Sequence, residues 1–236
     1  MKLLEGISNI DGTREKVLNI FKQNIKKYYP NGKFKVEYTG KDGNKYIVEI
    51  LISTRISQSR YIEGTWYQND KIYVSSKFGN ELDVLKTLAH ELVHLGQRWN
   101  GALNYSRYID STVNNKRKAK NQIYVTKKNL PYYKHSEKQI EKEATIISIL
   151  TLIQENHFEF AAKLTWNYKN YFDKITKQQF LRNCYLMKIS NEQLNQYRQH
   201  VAKVFDRKIN NEQIHSNYNI FNVNKIINLL NIDISN

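Results

Sequence analysis

The sequence predicts an α+β fold, with a small mixed or antiparallel sheet first, then a helix carrying His90-Glu91-Leu92-Val93-His94, then a mainly helical C-terminal lobe. Three observations lead to it. Period-two alternation is concentrated between residues 33 and 75, as in Phe34, Val36 and Tyr38. Apolar residues elsewhere recur at intervals of three and four. The histidine pair lies in such a helical stretch, directly after the last candidate strand.

Thr13 to Tyr28 reads as an amphipathic helix, with Val17, Ile20, Phe21 and Ile25 at helical spacing, ended by Pro30-Asn31-Gly32. Lys33 to Tyr38 and Lys45 to Ile52 form a hairpin around Lys41-Asp42-Gly43-Asn44. Thr65-Trp66-Tyr67 and Lys71 to Ser75 form a second one, turning at Asn69-Asp70. Ile72 to Ser75 is then either an edge along which an extended substrate adds itself or part of an ordinary internal hairpin. Asn80 caps the next helix, with Asp83 completing a box-like start and Asn100-Gly101 supplying a stop. Leu82, Leu85, Ala89 and Leu92 make one apolar row and Val84, Leu88 and Leu95 a second, so this helix is largely buried. Residues 101–135 are a long, polar, basic connection that could serve as a lid. A further helix starts at Ser136, boxed with Gln139, and carries the stripe Ile140, Ala144, Ile147. From His157 onward the pattern is helical through Phe158–Leu164, Phe180–Met187, Leu194–Phe205 and Val223–Ile232.

The chemistry lies in the H-E-x-x-H pattern. Residues four apart share one helix face, so the imidazoles of His90 and His94 can reach one zinc ion. Glu91 falls beside that ion, where a carboxylate can take a proton from attacking water and pass it to a leaving amine. Zinc would lower the pKa of its water to about 7, and the combination points to peptide hydrolysis. With six His and fourteen Glu in 236 residues, chance would produce the pattern in roughly one shuffled chain per hundred.

Catalytic zinc usually has three protein ligands, so one is missing. The chain has one Cys and no third His near by, which leaves a carboxylate from Glu137, Glu141 or Glu143. At about 100° per residue, Glu141 and Glu143 point roughly 160° apart and cannot both face one ion. Glu141 shares a lane with Glu137, Ala144 and Ser148, whose small members would admit another helix closely, and is the favoured ligand. All three glutamates could instead simply favour the helix N-terminus.

These residues resemble the gluzincins, zinc metallopeptidases that pair H-E-x-x-H with a downstream Glu in an E-x-x-A-[DN] or E-x-E-A pattern, here Glu141-Lys142-Glu143-Ala144-Thr145. The layout also resembles small metallopeptidase-like proteins of phages and large DNA viruses, in which H-E-x-x-H-x-x-Q precedes a Tyr-containing stretch; Gln97 and Tyr132-Tyr133 fit. The resemblance covers about Lys71 to Leu152 and implies zinc as cofactor, His90, His94 and Glu141 as its ligands, Glu91 as general base and a polypeptide substrate. Thr145 stands where the family often has an acidic or amide residue, which bears on the bond that orients a ligand histidine. It further implies a zincin-like catalytic region over 1–155, including the basic loop, with a helical lobe over 156–236 packed on it. Tyr132, Tyr133 or His135 is a candidate donor to the tetrahedral oxyanion. His157, His200 and His215 could enter the site or serve as structural histidines.

Cys184 stands alone, which excludes an internal disulfide and a Cys-rich zinc ribbon and fits a reducing compartment. The N-terminus lacks the apolar stretch of a cleaved signal, and the longest apolar run, Ala144 to Ile153, is too short to span a bilayer. The expected location is therefore the cytoplasm, or a virion or host cytoplasm if the chain is viral, with no membrane partner. A net charge of +15, concentrated partly in Lys116-Arg117-Lys118-Ala119-Lys120 and Lys127-Lys128, invites nucleic acid. AT-rich codons for Lys, Asn, Ile and Tyr account for such charge equally well, and the basic tract reads as a solvated loop or a nucleic-acid surface. The alternatives are a protease acting on nucleic-acid-bound proteins, anchored by that loop, and a non-catalytic binding protein stapled by zinc on a zincin scaffold.

Overall fold

The first helix, α1 (Thr13–Gln23), buries Val17, Leu18 and Phe21 on one face. It does not continue to Tyr28 unbroken. The Asn24 side chain donates to the Ile20 carbonyl at 2.9 Å, competing with the helical ladder as short amides do, and a separate turn of helix, α2 (Ile25–Tyr28), follows. These elements come from a computed structural model that describes residues 12–40, 42–62, 69–99, 130–172, 175–212, 226 and 228–230.

Strands β1 (Gly32–Thr39) and β2 (Lys45–Ser53) pair antiparallel with Val36 opposite Val48. Their turn is built by side chains: Asp42 accepts from the Asn44 backbone at 3.1 Å and from the Tyr46 hydroxyl at 2.6 Å, and Gly43 takes a left-handed φ of 77°. Alternation sends Phe34, Val36, Tyr38, Val48, Ile50 and Ile52 into the core.

The second expected hairpin is not formed as read. Asn69-Asp70 opens a strand, β4 (Asn69–Ser75), instead of turning the chain. Asp70 is fully buried, and the Tyr38 hydroxyl hydrogen-bonds its carboxylate, so a residue suited to turns is accommodated inside a sheet. β4 pairs parallel with β2, Ile72 opposite Ile50, and antiparallel with the short β3 (Arg60–Ile62). The sheet order is β1-β2-β4-β3. Lys71–Tyr73 is therefore flanked by strands on both sides, although the β3 register ends at Tyr73; the outer strands of this sheet are β1 and β3. Residues 65–67 lie outside the described residues.

Helix α3 (Glu81–Trp99) packs on β4 and on α1, covering the sheet face from which Ile72 and Val74 project. Its start is a reciprocal cap: Asn80 Oδ1 accepts from the backbone N–H groups of Leu82 and Asp83, and Asp83 Oδ2 accepts from that of Asn80 at 3.0 Å. Gly79 makes room for this, since a Cβ there would meet the Asp83 Cβ at 2.5 Å. Val84, Leu85, Leu88, Ala89, Leu92 and Leu95 are all buried, each Val or Leu side chain contributing about 1.5–3 kcal/mol. That anchorage makes α3 a rigid platform for the residues on its remaining face.

Helix α4 (Leu130–Gln154) begins earlier than Ser136, with Pro131 in the first turn where its missing N–H costs nothing. Ser136 therefore lies within the helix rather than capping it, and the connection between the two helices ends at residue 129. Every residue from Ala144 to Ile153 is buried. The chain divides into two compact units, 1–145 and 146–236, with the division inside α4.

In the second unit α5 (Phe158–Asn167), α6 (Lys169–Phe172), α7 (Lys177–Leu186) and α8 (Asn191–Glu212) follow, and α5 packs along α8. Trp166 meets Phe205 edge to face, with ring centres 5.0 Å apart. Among the described residues no helix is long and apolar enough to cross a membrane. The molecule is thus a mixed α and β protein in which helix predominates.

Candidate metal centre

Two helices of the first unit bring three ligand-type side chains together. His90 and His94 stand one turn apart on α3, their Nε2 atoms 3.2 Å apart. Glu141 of α4 reaches both, its Oε2 lying 3.2 Å from His90 Nε2 and its Oε1 3.4 Å from His94 Nε2. One ligand atom from each of the three lies within 4.8 Å of the others, so the group could hold a metal ion. Ala144 and Ser148, in Glu141's lane, are fully buried, within a run from Ala144 to Ile153 in which every residue is buried.

The placement of the His94 proton leaves a lone pair facing the cluster. Gln97, buried one turn after His94, places its Oε1 2.7 Å from His94 Nδ1 and donates from Nε2 to Glu143 Oε2 at 3.1 Å. An amide oxygen only accepts, so Nδ1 carries the hydrogen and Nε2 of His94 presents a lone pair. Burial, reinforced by the neighbouring His90, lowers the His94 pKa and favours the neutral ring despite the opposing pull of Glu141 and Gln97. Burial pulls Glu141 upward, but its hydrogen bond to His90 and the charges of both imidazoles outweigh it and hold the carboxyl below its ordinary range. A lone pair and an anion thus converge at 3.4 Å, an arrangement that a cation relieves.

Glu143 faces Gln97 rather than the imidazole pair. Burial pushes its carboxyl up to about 7, against the lowering hydrogen bond from Gln97, and its Oε1 is buried without a partner. His90 Nδ1 is likewise buried without a partner. Glu91 is buried at 6% exposure, and Lys86, one turn before His90, feels its charge: burial lowers the lysine's pKa while Asp83 and Glu91 raise it.

The sequence pattern did not reveal the Gln97–Glu143 link. Gln97 was already marked by the layout, and its three-residue offset to His94 puts the two on one helix face. Nothing in the sequence tied Glu143 to Gln97, because the crossing of two helices sets that distance. Glu137, Tyr132, Tyr133 and His135 fall on α4, but their side chains lie outside the described residues, as do the basic positions 116–128 and His215. His157 and His200 belong to the second unit; His200 Nδ1 meets the Gln196 carbonyl at 2.9 Å, and its ring centre lies 5.9 Å from that of Phe158. No family model, curated protein or solved structure matches this chain.

Proposed function

We propose that this protein is a zinc-dependent peptidase of gluzincin type, with His90, His94 and Glu141 as metal ligands and Glu91 as general base. One observation carries the reading: three side chains from two helices converge, the imidazole Nε2 atoms 3.2 Å apart and the two Glu141 oxygens at 3.2 Å from His90 and 3.4 Å from His94. Donors at zinc bond lengths of about 2.0–2.1 Å in tetrahedral array stand about 3.3 Å apart, so this donor set fits zinc. A mixed sheet followed by a helix bearing both histidines supports a zincin-like fold for the first unit.

Bound zinc would supply Lewis acidity, polarising water and the scissile carbonyl near neutral pH. The remaining chemistry belongs to the chain. His94, neutral and oriented by Gln97, offers Nε2, and Glu141 contributes the negative charge that offsets a dication. The Glu91 carboxylate, adjacent to His90, accepts the proton from attacking water and delivers it to the departing amine. Burial of Glu91 limits its exposure to bulk water, which favours a proton held for transfer over one lost to solvent.

Metal analysis of the purified full chain, together with the Glu91→Gln variant, tests the reading. The expected result is one zinc per chain in both proteins and peptide hydrolysis in the wild type alone. Hydrolysis retained by E91Q rejects Glu91 as base. Zinc bound without cleavage of any unfolded or library peptide assigns the ion to a structural role in a binding protein.

A further inference from the structure

Glu143 is placed where it can decide how His94 binds a metal, although it touches neither imidazole. Gln97 bridges the two helices, with its oxygen toward His94 Nδ1 and its nitrogen toward Glu143 Oε2. A carboxylate oxygen accepts and does not donate, so Glu143 requires the amide N–H on its own side. The Gln97 oxygen is thereby turned to His94, Nδ1 must carry the hydrogen, and Nε2 is left bare toward His90 and Glu141. A reversed amide would set two oxygens against each other at α4 and aim an N–H at Nδ1, moving the imidazole proton to Nε2 and blocking the ligand atom. The amide nitrogen stands 3.1 Å from Oε2, which makes Oε2 the acceptor, while Oε1 has no partner.

We propose that Glu143 is a positioning residue that acts through Gln97 to select the metal-binding tautomer of His94. The geometry is unlike a carboxylate placed directly on the ligand histidine, because an amide from the histidine's own helix is interposed and is oriented by the helix that supplies the third ligand. The same link ties α3 to α4 one turn beyond His94, so tautomer selection and the approach of Glu141 are set together. This inference rests on the metal-site reading above.

Two readouts on the full chain test it. Nitrogen-15 shifts of the His94 ring in metal-free protein at mildly alkaline pH report the tautomer, and competition with a chromogenic chelator reports zinc affinity. The wild type is expected to hold His94 as Nδ1–H. Glu143→Leu should populate Nε2–H and weaken zinc about 10–100-fold, the usual cost of losing an outer partner. Exchanging the two side chains in the double variant Q97E/E143Q restores the donor order, since Gln at 143 donates to Glu at 97, which accepts from Nδ1; tautomer and affinity should both return. A wild-type His94 carrying its proton on Nε2, an E143L variant that loses affinity with its tautomer unchanged, or a double variant that recovers neither readout would overturn the proposal. If the wild type binds no zinc, the peptidase reading fails while the tautomer measurement still decides this one.

Discussion

The two units each hold a polar cluster, and the clusters differ in burial and in how protons match lone pairs. In the second unit the Thr165 hydroxyl donates to the Ala161 carbonyl at 2.9 Å and lies against the Tyr197 hydroxyl, so two hydroxyls able to give and accept answer each other. Burial and the neighbouring Cys184 raise the Tyr197 pKa, and the Thr165 hydrogen bond opposes them. In the first unit His90, His94 and Glu141 meet through ligand atoms, with the His94 proton already committed to Gln97. A closed pair is structural; an open set of lone pairs is a site for a cation. A fully buried pair whose protons answer its lone pairs thus stands against a partly exposed set in which the His94 proton is committed to Gln97.

The largest predicted effect attacks the open cluster. His94→Ala and His90→Ala should each weaken zinc by more than the roughly 100-fold that an outer partner is worth, read by chelator competition. The two variants should differ without metal. H94A also strips Gln97 Oε1 of its donor, costing about 1–3 kcal/mol of stability, whereas His90 Nδ1 has no partner to lose; equal melting temperatures for the metal-free variants would contradict that asymmetry. Next in size, chelation should lower the wild-type Tm, since zinc at a hundred times its Kd stabilises by about 2.7 kcal/mol. In H94A the same chelator should do almost nothing.

The closed cluster should respond on a smaller scale. Tyr197→Phe removes one hydroxyl while Thr165 keeps the Ala161 carbonyl, so a loss of about 0.5–1.5 kcal/mol in denaturant unfolding is expected, with zinc affinity unchanged. Smallest is the behaviour of Cys184, which is fully buried and whose thiol burial pushes up to about 12. At neutral pH it stays a thiol, and a disulfide reagent should label it only as fast as the chain unfolds. Rapid labelling of the folded protein would show the second unit to be far less closed than its packing implies.

The β1–β2 hairpin and the start of α3 were legible in the sequence because their signals are local: Asp42 with Asn44 and Tyr46, and Asn80 with Asp83, lie within four residues of each other. The misread elements each depended on something distant. Asn69-Asp70 reads as a turn until Tyr38, thirty-two positions earlier, arrives to satisfy the carboxylate. Ile72–Ser75 reads equally as an edge or as an internal strand until β3 pairs opposite Lys71–Tyr73. Ser136 reads as a cap, but six residues before it continue the helix.

At the site, the sequence alone determined that His90 and His94 share a face, because a helix of 3.6 residues per turn places positions four apart together whatever surrounds it. It also narrowed the acidic partners to one short segment. Which carboxylate meets the imidazoles, and which one turns to Gln97, was decided only by the tertiary crossing of α3 and α4. Glu141 and Glu143 differ by roughly 160° about their helix axis, and only a packed neighbour distinguishes the two directions.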